Sequence, residues 1–316
     1  MRFLFVMDAL ESMHPEKDTT FAFMRAAQKL GHLCLHCLLN DLYVDNGQAF
    51  ASTRIATVSP HPPHTFYGAA QQVCLSDVDA ILVRKDPPFD IAYLNATQVL
   101  DVVRDDMFIM NDPRGLRDAD EKLYALHFSQ WTPRTTVTAS PAHIRKFLEE
   151  CGGLAVIKPI GQAGGRGVLR LTAGDTNTSS IIDLLTSEGK HPVMVQEYLP
   201  AVCEGDKRVI LLDGKLLGAI LRVPTKGEFR ANIHVGGTVV ACDITQREKE
   251  LIESVGPRLR AAGLYFVGLD VIGERLTEVN VTSPTGIQEL GRLTCTTPED
   301  DVIRWLERRV MEFGKK

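Results

Sequence analysis

The sequence lacks any apolar run that approaches the length of a membrane-spanning helix. Its opening segment, MRFLFVMDAL, is apolar for only a few residues before Asp8, which predicts a first strand rather than a signal peptide. Positive charge is not in excess, because the formal net charge is −5 over 316 residues. Nothing indicates nucleic-acid binding, and we expect neither a membrane nor a nucleic acid as a partner.

The seven cysteines do not follow a pattern typical of secreted disulfide-bonded proteins, because their number is odd and their spacing is wide. Cys34 and Cys37 form a CxxC motif in HLCLHCLL. The motif is either a zinc or redox site, or part of a buried strand in which cysteine serves as a small apolar residue. We favour the strand, since no second pair of ligands has metal-site spacing. A cytoplasmic protein is the simplest interpretation.

The composition, 44% hydrophobic and 24% charged, is typical of a globular protein, and the length predicts two or three domains. The first hundred or so residues alternate between strands and helices, which predicts a parallel sheet with helices on its faces. Asp18 is the predicted N-cap of the first helix, and Gly31 ends it. The predicted strands are RFLFVM, LCLHCLL, DAILVR and MFIMN, and the segment NDPRGLRDADEKL marks a boundary.

The chain after this boundary begins with a predicted helix, the strand RTTVT, and a helix that opens at Ser140 and Pro141. Antiparallel hairpins are expected further on, because Asp213–Gly214 is a turn signal between DKRVILL and KLLGAILRV. The polar stretch TKGEFRANIHVGG has no clear period and predicts a mobile loop. A capping box then opens the helix TQREKELIESVGPRLRAAG, and PEDDVIRWLERRVMEF is a terminal helix.

The stretch LDVIGERLTEVNVTSP places two carboxylates and an amide in a strand-like segment. Glu278 and Asn280 are two residues apart, so their side chains point to one face of a strand. If GLDVIG and RLTEVNV form a hairpin with an odd loop centred on Glu274, Asp270 lies opposite Glu278. Two close carboxylates repel each other unless a cation lies between them, and these oxygen ligands suit Mg²⁺ or Mn²⁺. The alternative is the solvent-facing side of an edge hairpin.

The segment IKPIGQAGGRG predicts an anion-binding loop. Lys158 ends an apolar strand, and the glycines that follow allow backbone N–H groups to approach an anion closely. A tight hairpin turn is the alternative for such a loop alone. Together with a distant metal site, the segment indicates MgATP binding. The loop glycines are Gly161, Gly164, Gly165 and Gly167.

Arg208 and Arg222 lie in apolar strands, GDKRVIL and AILRV. An unpaired arginine is costly in such a strand, so each is expected to have an anionic partner. That partner is either a structural carboxylate or a ligand. Lys122, in DADEKLYAL, would by itself be interpreted as a solvated helix residue.

The motifs KPIGQAGGRG, VQEYLP, GDKRV and LDVIGERLTEVNVTSPTG, in this order, resemble the ATP-grasp fold. RKDPPFD, LRDADEKL and EVNVTSPTGI are more specific, and they resemble bacterial glutathione synthetases over nearly the whole chain. The resemblance implies an α/β fold class, α+β overall. It further implies a Rossmann-like parallel-sheet (pre-ATP-grasp) substrate-binding domain over residues 1–120. A two-lobed ATP-grasp domain would follow, with lobes over residues 121–200 and 201–316.

The family that the chain resembles joins γ-glutamylcysteine to glycine through an acyl phosphate, releasing ADP and phosphate. ATP is the co-substrate, Mg²⁺ or Mn²⁺ the cofactor, and a homo-oligomer, often a tetramer, the implied assembly. The resemblance implies that Lys122 and Lys158 contact the phosphates of ATP and that the loop 161–167 covers them. The implied adenine pocket consists of Gln196, Glu197, Tyr198 and Leu199, and Asp206 would approach the ribose. Asp270, Glu278 and Asn280 are the implied metal ligands, and Arg208 and Arg222 would lie near the transferring phosphate and the acyl group. Asp18, Thr19, Arg84 and Asp86 are implied to hold the peptide, and Ser283 and Thr285 to contact glycine or the peptide.

The sequence departs from the family pattern at three places. Gly161 and Gln162 replace an Asp–Gly pair in the phosphate loop, Thr238 stands where an arginine often ends the flap, and Gln288 stands where a basic residue is common. The last two remove positive charge near the substrates. A related carboxylate–amine ligase with another peptide or acceptor amine is therefore the alternative function, and a nucleotide-binding regulator is disfavoured by the intact lysine and metal ligands. The flap itself is expected over residues 225–237.

Overall fold

The computed structural model describes residues 1–225 and 237–314. Its first sheet is parallel around β1 (Arg2–Val6), which pairs with β2 (Leu33–Cys37) and with β6 (Ala80–Val83). β7 (Phe108–Met110) extends the sheet in parallel beyond β6. The predicted parallel sheet is thus confirmed for these strands.

The other half of the first sheet is antiparallel, which the alternation of strand and helix did not predict. β3 (Leu42–Asp45), β4 (Gln48–Val58) and β5 (Thr65–Cys74) follow one another as neighbours, and β4 pairs antiparallel with β2. The signal was present in the dipeptide Asn46–Gly47, whose φ angles of 48° and 81° are those of a two-residue hairpin turn.

The helices of the N-terminal part are α1 (Thr19–Lys29), α2 (Ile91–Asp101) and α3 (Pro113–Asp118). The Asp18 carboxylate accepts the backbone N–H groups of Thr20 and Phe21, so the predicted N-cap of α1 is confirmed. The helix expected after the boundary segment is a short 3-10 helix at Tyr124–Phe128.

The second sheet is entirely antiparallel, in the order β10, β9, β11, β8. Its strands are β8 (Thr135–Thr138), β9 (Leu154–Pro159), β10 (Leu169–Thr172) and β11 (Val193–Glu197). α4 (Pro141–Glu150) and α5 (Thr178–Thr186) contribute Ile144, Phe147 and Ile182 to a core of its own.

The third sheet has the order β14, β13, β12, β15, β16 and is also antiparallel. Its strands are β12 (Asp206–Leu212), β13 (Lys215–Val223), β14 (Thr238–Ala241), β15 (Phe266–Ile272) and β16 (Arg275–Asn280). The helices of this part are α6 (Gln246–Ala261), α7 (Ile287–Thr294) and α8 (Pro298–Phe313). The first and third sheets share a buried hydrophobic cluster. Within it, Phe23 of α1 packs edge-on against Phe266 of β15.

The CxxC motif is buried in β2, where Cys34 and Cys37 are free thiols. Both cysteines are buried within a strand, which confirms the buried-strand interpretation. In residues 1–225 and 237–314, no helix combines the length and apolar character needed to cross a membrane.

Candidate active site

The predicted pairing of Asp270 with Glu278 is present in the β15–β16 hairpin. The turn that joins the two strands is not the expected odd loop. It consists of two residues, Gly273 and Glu274, with φ angles of 53° and 63°. A bulge between the paired strands then shifts the register by one residue. Thr277 is the extra residue, and its hydroxyl donates to the Asp270 carbonyl at 3.1 Å. Val279 and Val281 are fully buried on the opposite face.

Asp270 is held by both of the arginines that the sequence singled out. Arg208 donates to its two carboxylate oxygens at 2.6 and 3.1 Å, and Arg222 Nη2 lies 3.0 Å from Oδ1. Burial by itself would raise the pKa of Asp270, but the two guanidinium groups hold that pKa well below its usual range. The arginines therefore have structural carboxylate partners, and both also line the large cleft described below.

Glu278 faces two lysines from different parts of the chain. Its Oε1 lies 3.9 Å from Lys122 Nζ and 4.0 Å from Lys158 Nζ. Both lysines are buried, and burial lowers the pKa of Lys158, partly offset by Glu278. Lys122 also donates to the backbone carbonyl of Gln162 in the glycine-rich loop. This contact ties the loop to the carboxylate hairpin.

A small cavity of about 90 Å³ lies between the second and third sheets. Gln196 and Glu197 line it, but their side chains point to β8: Gln196 donates to Thr135 Oγ1 at 3.1 Å, and Glu197 accepts from Arg134 N at 3.0 Å. The backbone N–H of Glu197 also has a partner, the Arg134 carbonyl at 2.9 Å, and Gln196 lies in the part of β11 that pairs with both β8 and β9. The other lining residues include Lys158, Gly165, Tyr198, Leu199, Asp206, Asp270, Ile272 and Glu278.

Asp206 is the most unusual group in this small cavity. Burial raises its pKa to about 7, opposed by the nearby Arg222, which donates to Oδ2 at 2.6 Å. Among the described residues, none forms a hydrogen bond with Asp206 Oδ1. A buried carboxylate oxygen without a donor is costly unless a ligand supplies one.

A cleft of about 1210 Å³ lies on the other side of the carboxylate hairpin and shares Asp270 and Glu278 with the small cavity. The predicted residues that line it are Asp18, Arg84, Asp86, Gly161, Gly164, Arg208, Arg222, Asn280, Ser283 and Thr285. Thr19 is buried and does not line the cleft, whereas Thr20 does. Gly167 lines neither space. Its φ is 68°, and a Cβ at this position would lie 2.7 Å from Pro159 Cγ, so the turn requires glycine there.

Arg84 is a buried cation at the wall of this cleft. It donates to Thr20 Oγ1 at 3.1 Å and to the Pro284 carbonyl at 3.0 Å, and it packs between Phe23 and Phe266. Burial lowers its pKa to about 10. Within the described part of the chain, no carboxylate forms a salt bridge with Arg84.

Three residues near the site have roles that the sequence did not predict. Asn111 donates to the carbonyls of Phe266 and Val281 at 2.9 and 2.7 Å, which fixes β15 against the end of β16. Gln288 donates to the carbonyls of Pro15 and Asp18 at 3.0 and 2.6 Å. Glu121 accepts hydrogen bonds from Val281 and Thr282. The sequence signals were the position of Glu121 beside Lys122 and the departure from the family pattern at Gln288. Thr225 and Gly237 are the two described residues of the predicted flap, and the rest of the flap lies outside the described part of the chain.

Several solved structures that resemble this chain are named as ATP-grasp ligases. A D-cycloserine synthetase aligns over 99% of this chain and 100% of its own, with a TM-score of 0.66 and 16% identity. The ATP-grasp ligase PsnB, complexed with a precursor peptide and AMPPNP, covers 98% of each chain with a TM-score of 0.62 and 15% identity. At such identities the likeness shows the fold, and the fold and site together define an ATP-grasp protein.

Sequence comparison is more specific. The family model of the prokaryotic glutathione synthetase N-terminal domain matches residues 1–117, and that of the family's ATP-grasp domain matches residues 121–295. The glutathione synthetase of Synechocystis sp. is 45% identical over 98% of this chain and 100% of its own, and that of Vibrio parahaemolyticus is 39% identical over 96% and 97%. The chain belongs to the prokaryotic glutathione synthetase family. It is an ATP-dependent ligase, as the sequence resemblance implied.

Proposed function

We propose that this protein joins γ-glutamylcysteine to glycine, with ATP converted to ADP and phosphate. The observation that carries the proposal is the meeting of two spaces at one carboxylate hairpin. The small cavity is lined by Gln196, Glu197, Tyr198 and Leu199, which the family resemblance assigns to adenine, and the large cleft has room for a peptide. Asp270 and Glu278 border both, so a phosphoryl group would pass between the spaces at this hairpin.

The proposed site for the base is the small cavity, which Gln196, Glu197, Tyr198 and Leu199 line. The unpartnered Oδ1 of Asp206 supports a contact with a ribose hydroxyl, which would supply the missing donor. Lys122 and Lys158 would bind the phosphates. The glycines at 161, 164 and 165 would bring backbone N–H groups to the same charges.

The metal ligands are proposed to be Asp270, Glu278 and Asn280. The donor set fits Mg²⁺ or Mn²⁺: Asn280 Nδ2 donates to the Gly268 carbonyl at 3.2 Å, which leaves its Oδ1 as an acceptor. The Glu278 side chain is 22% exposed and has only long ion pairs, so its oxygens are accessible. A divalent cation bound there would neutralise phosphate charge during transfer.

The reaction proposed for the site has two displacements. A carboxylate oxygen of the peptide attacks the γ-phosphorus of ATP, the bond to the bridging oxygen breaks, and ADP leaves. The amine of glycine then attacks the carbonyl carbon of the acyl phosphate, loses a proton, and inorganic phosphate leaves. Arg208 and Arg222 would stabilise the negative charge in both steps, because phosphoryl transfer needs positioning and neutralisation more than a protein nucleophile.

The peptide is placed in the large cleft. Arg84, a buried cation with no salt-bridge partner among the described residues, suits a substrate carboxylate. Asp18 and Asp86 supply acidic groups for the substrate ammonium, and Ser283 and Thr285 lie beyond the metal ligands, where glycine or the peptide would bind. The cytoplasmic location, the homo-oligomeric state and the domain boundaries stay predictions.

The test is incubation with ATP, Mg²⁺, γ-glutamylcysteine and glycine. We expect glutathione and ADP to form in equal amounts, and chromatography would measure both products. A panel of other acceptor amines, compared by kcat/KM, addresses the changes at Thr238 and Gln288; a better acceptor than glycine would overturn the proposed specificity. Absence of ADP above background with every acceptor would overturn the ligase assignment for this chain.

A further inference from the structure

Glu121 makes a dense set of contacts with the end of the strand that bears Glu278 and Asn280. Its backbone carbonyl accepts from Val279 N at 2.8 Å. Its Oε1 accepts from the backbone N–H groups of Val281 and Thr282 at 3.0 and 3.1 Å, and from the Thr282 hydroxyl at 2.8 Å. One residue therefore holds the chain on both sides of Asn280.

These contacts replace strand pairing where the sheet stops. The β15–β16 pairing ends at Gly268 and Asn280, so the next N–H groups have no strand opposite them. Asn111 holds the carbonyl of Val281 at 2.7 Å while Glu121 holds its N–H. The end of β16 is thus fixed by side chains that belong to the chain segment before the second sheet.

The residue after Glu121 is Lys122, which lies 3.9 Å from Glu278 Oε1 and donates to the Gln162 carbonyl. A shift of Glu121 relative to β16 would therefore change the separation between Lys122 and Glu278. It would also move the glycine-rich loop relative to Asn280. The residue is half-buried at the wall of the large cleft, and loss of solvent around its carboxylate raises the pKa of Glu121, opposed by the hydrogen bonds from Thr282.

We infer that Glu121 is a positioning residue for phosphoryl transfer, whose carboxylate sets the register between Lys122 and the pair Glu278 and Asn280. This inference rests on the proposed role of those residues in binding the metal–nucleotide complex. Glu121 also lines the large cleft, but the role inferred for it acts through its hydrogen bonds to the chain at 279–282. Residues that orient ligands in this way change metal affinity or activity by about 10- to 100-fold when replaced.

The test measures ADP binding by calorimetry with and without Mn²⁺, together with kcat and the KM of γ-glutamylcysteine. In Glu121→Ala we expect the gain in ADP affinity given by Mn²⁺ to fall by about 10- to 100-fold, and kcat to fall with it. ADP affinity without metal and the KM of the peptide should change less than the Mn²⁺-dependent gain does. Glu121→Gln keeps an acceptor oxygen for the same donors and should recover most of the loss.

Asp112→Ala is the matched control. Asp112 also caps local backbone, accepting from Arg114 N at 2.8 Å, and it forms an ion pair with Arg104 Nε at 2.7 Å. Among the described residues, its side chain has no hydrogen bond to β16. The Asp112→Ala variant should have a lower melting temperature, but the gain in ADP affinity given by Mn²⁺ should not change. If Glu121→Ala does the same, the inference is wrong. Thr282→Val, which removes only the hydroxyl donor, should show a smaller loss in the same direction, and an unchanged gain in this variant would also overturn the inference.

The wild-type protein separates this inference from the proposed function. If Mn²⁺ does not strengthen ADP binding in the wild type, the proposed metal ligands fail, whatever the variants show. If it does and Glu121→Ala retains the full gain, only the positioning role fails.

Discussion

Arg208 holds the carboxylate of Asp270 through two hydrogen bonds, of 2.6 and 3.1 Å, from one strand to its neighbour in the third sheet. The pair is buried, and Arg222 approaches the same carboxylate from the strand on the other side of Arg208. Three charged side chains therefore share one buried position between the small cavity and the large cleft. The arrangement offsets charge within the protein while leaving both arginines at the wall of the cleft.

Asp270→Asn should lower both stability and activity. It leaves two buried guanidinium groups with one fewer anionic partner, and breaking a buried pair typically costs about 3–5 kcal/mol. Urea unfolding should show this loss, and the ADP-release assay should show a large drop in kcat. Lys207→Gln, which breaks a separate ion pair with Glu248 at 2.8 Å, is the control for stability alone. A stable, fully active Asp270→Asn protein would contradict the assignment of this carboxylate to the site.

Glu278→Gln should remove most activity while leaving the fold intact. The side chain makes only long ion pairs, at 3.9 and 4.0 Å, so its charge is not needed to hold β16 in place. Loss of a metal-ligand charge should reduce kcat by more than about 100-fold, above the range typical of residues that only orient ligands. Circular dichroism and melting temperature should stay close to wild type. Unchanged turnover would rule out Glu278 as a metal ligand.

Cys34 and Cys37 should resist alkylation in the native protein. Burial raises the pKa of Cys34 to about 12 and raises that of Cys37 as well, so the reactive thiolate is scarce at pH 8. Cys203 and Cys295 are exposed and should react first. Mass spectrometry after iodoacetamide treatment would locate the labels, with urea-unfolded protein as the fully labelled reference. Rapid native labelling of Cys34 would contradict its burial.

The stability of the protein should respond to pH through Asp206. Burial raises its pKa from 3.8 to about 7, so the folded state binds a proton more tightly than the unfolded state does. The stability linked to this group is present below about pH 4 and is lost as the pH rises through 7. Relative to Asp206→Asn, the wild type should therefore be less stable at pH 8 than at pH 5 in urea unfolding. A difference between the two proteins that does not change with pH would contradict the raised pKa.

The sequence was sufficient to predict the strand-like hairpin and the pairing of Asp270 with Glu278, because alternating side chains fix which residues share a face. It did not predict the bulge at Thr277. A two-residue turn followed by a bulge pairs Asp270 with Glu278, and an odd-numbered loop without a bulge gives the same pair. Asn111 and Glu121 could not be found from local patterns. Their partners lie 155 to 170 residues away along the chain, and only the packing of the first sheet against the third brings them together.

Gln288 should affect the peptide substrate more than the nucleotide. Its amide joins α7 to the carbonyls of Pro15 and Asp18, next to the N-cap of α1 and far from the small cavity. Gln288→Glu has nearly the same shape but places an acceptor against two carbonyl acceptors, and an unsatisfied buried group costs about 1–3 kcal/mol. The KM of γ-glutamylcysteine should rise roughly 10-fold, since 1.4 kcal/mol corresponds to a factor of ten. The KM of ATP should not change. Steady-state kinetics with each substrate varied in turn would measure both values, and an equal rise in the two would show that Gln288 supports the fold of the whole site rather than the peptide-binding segment.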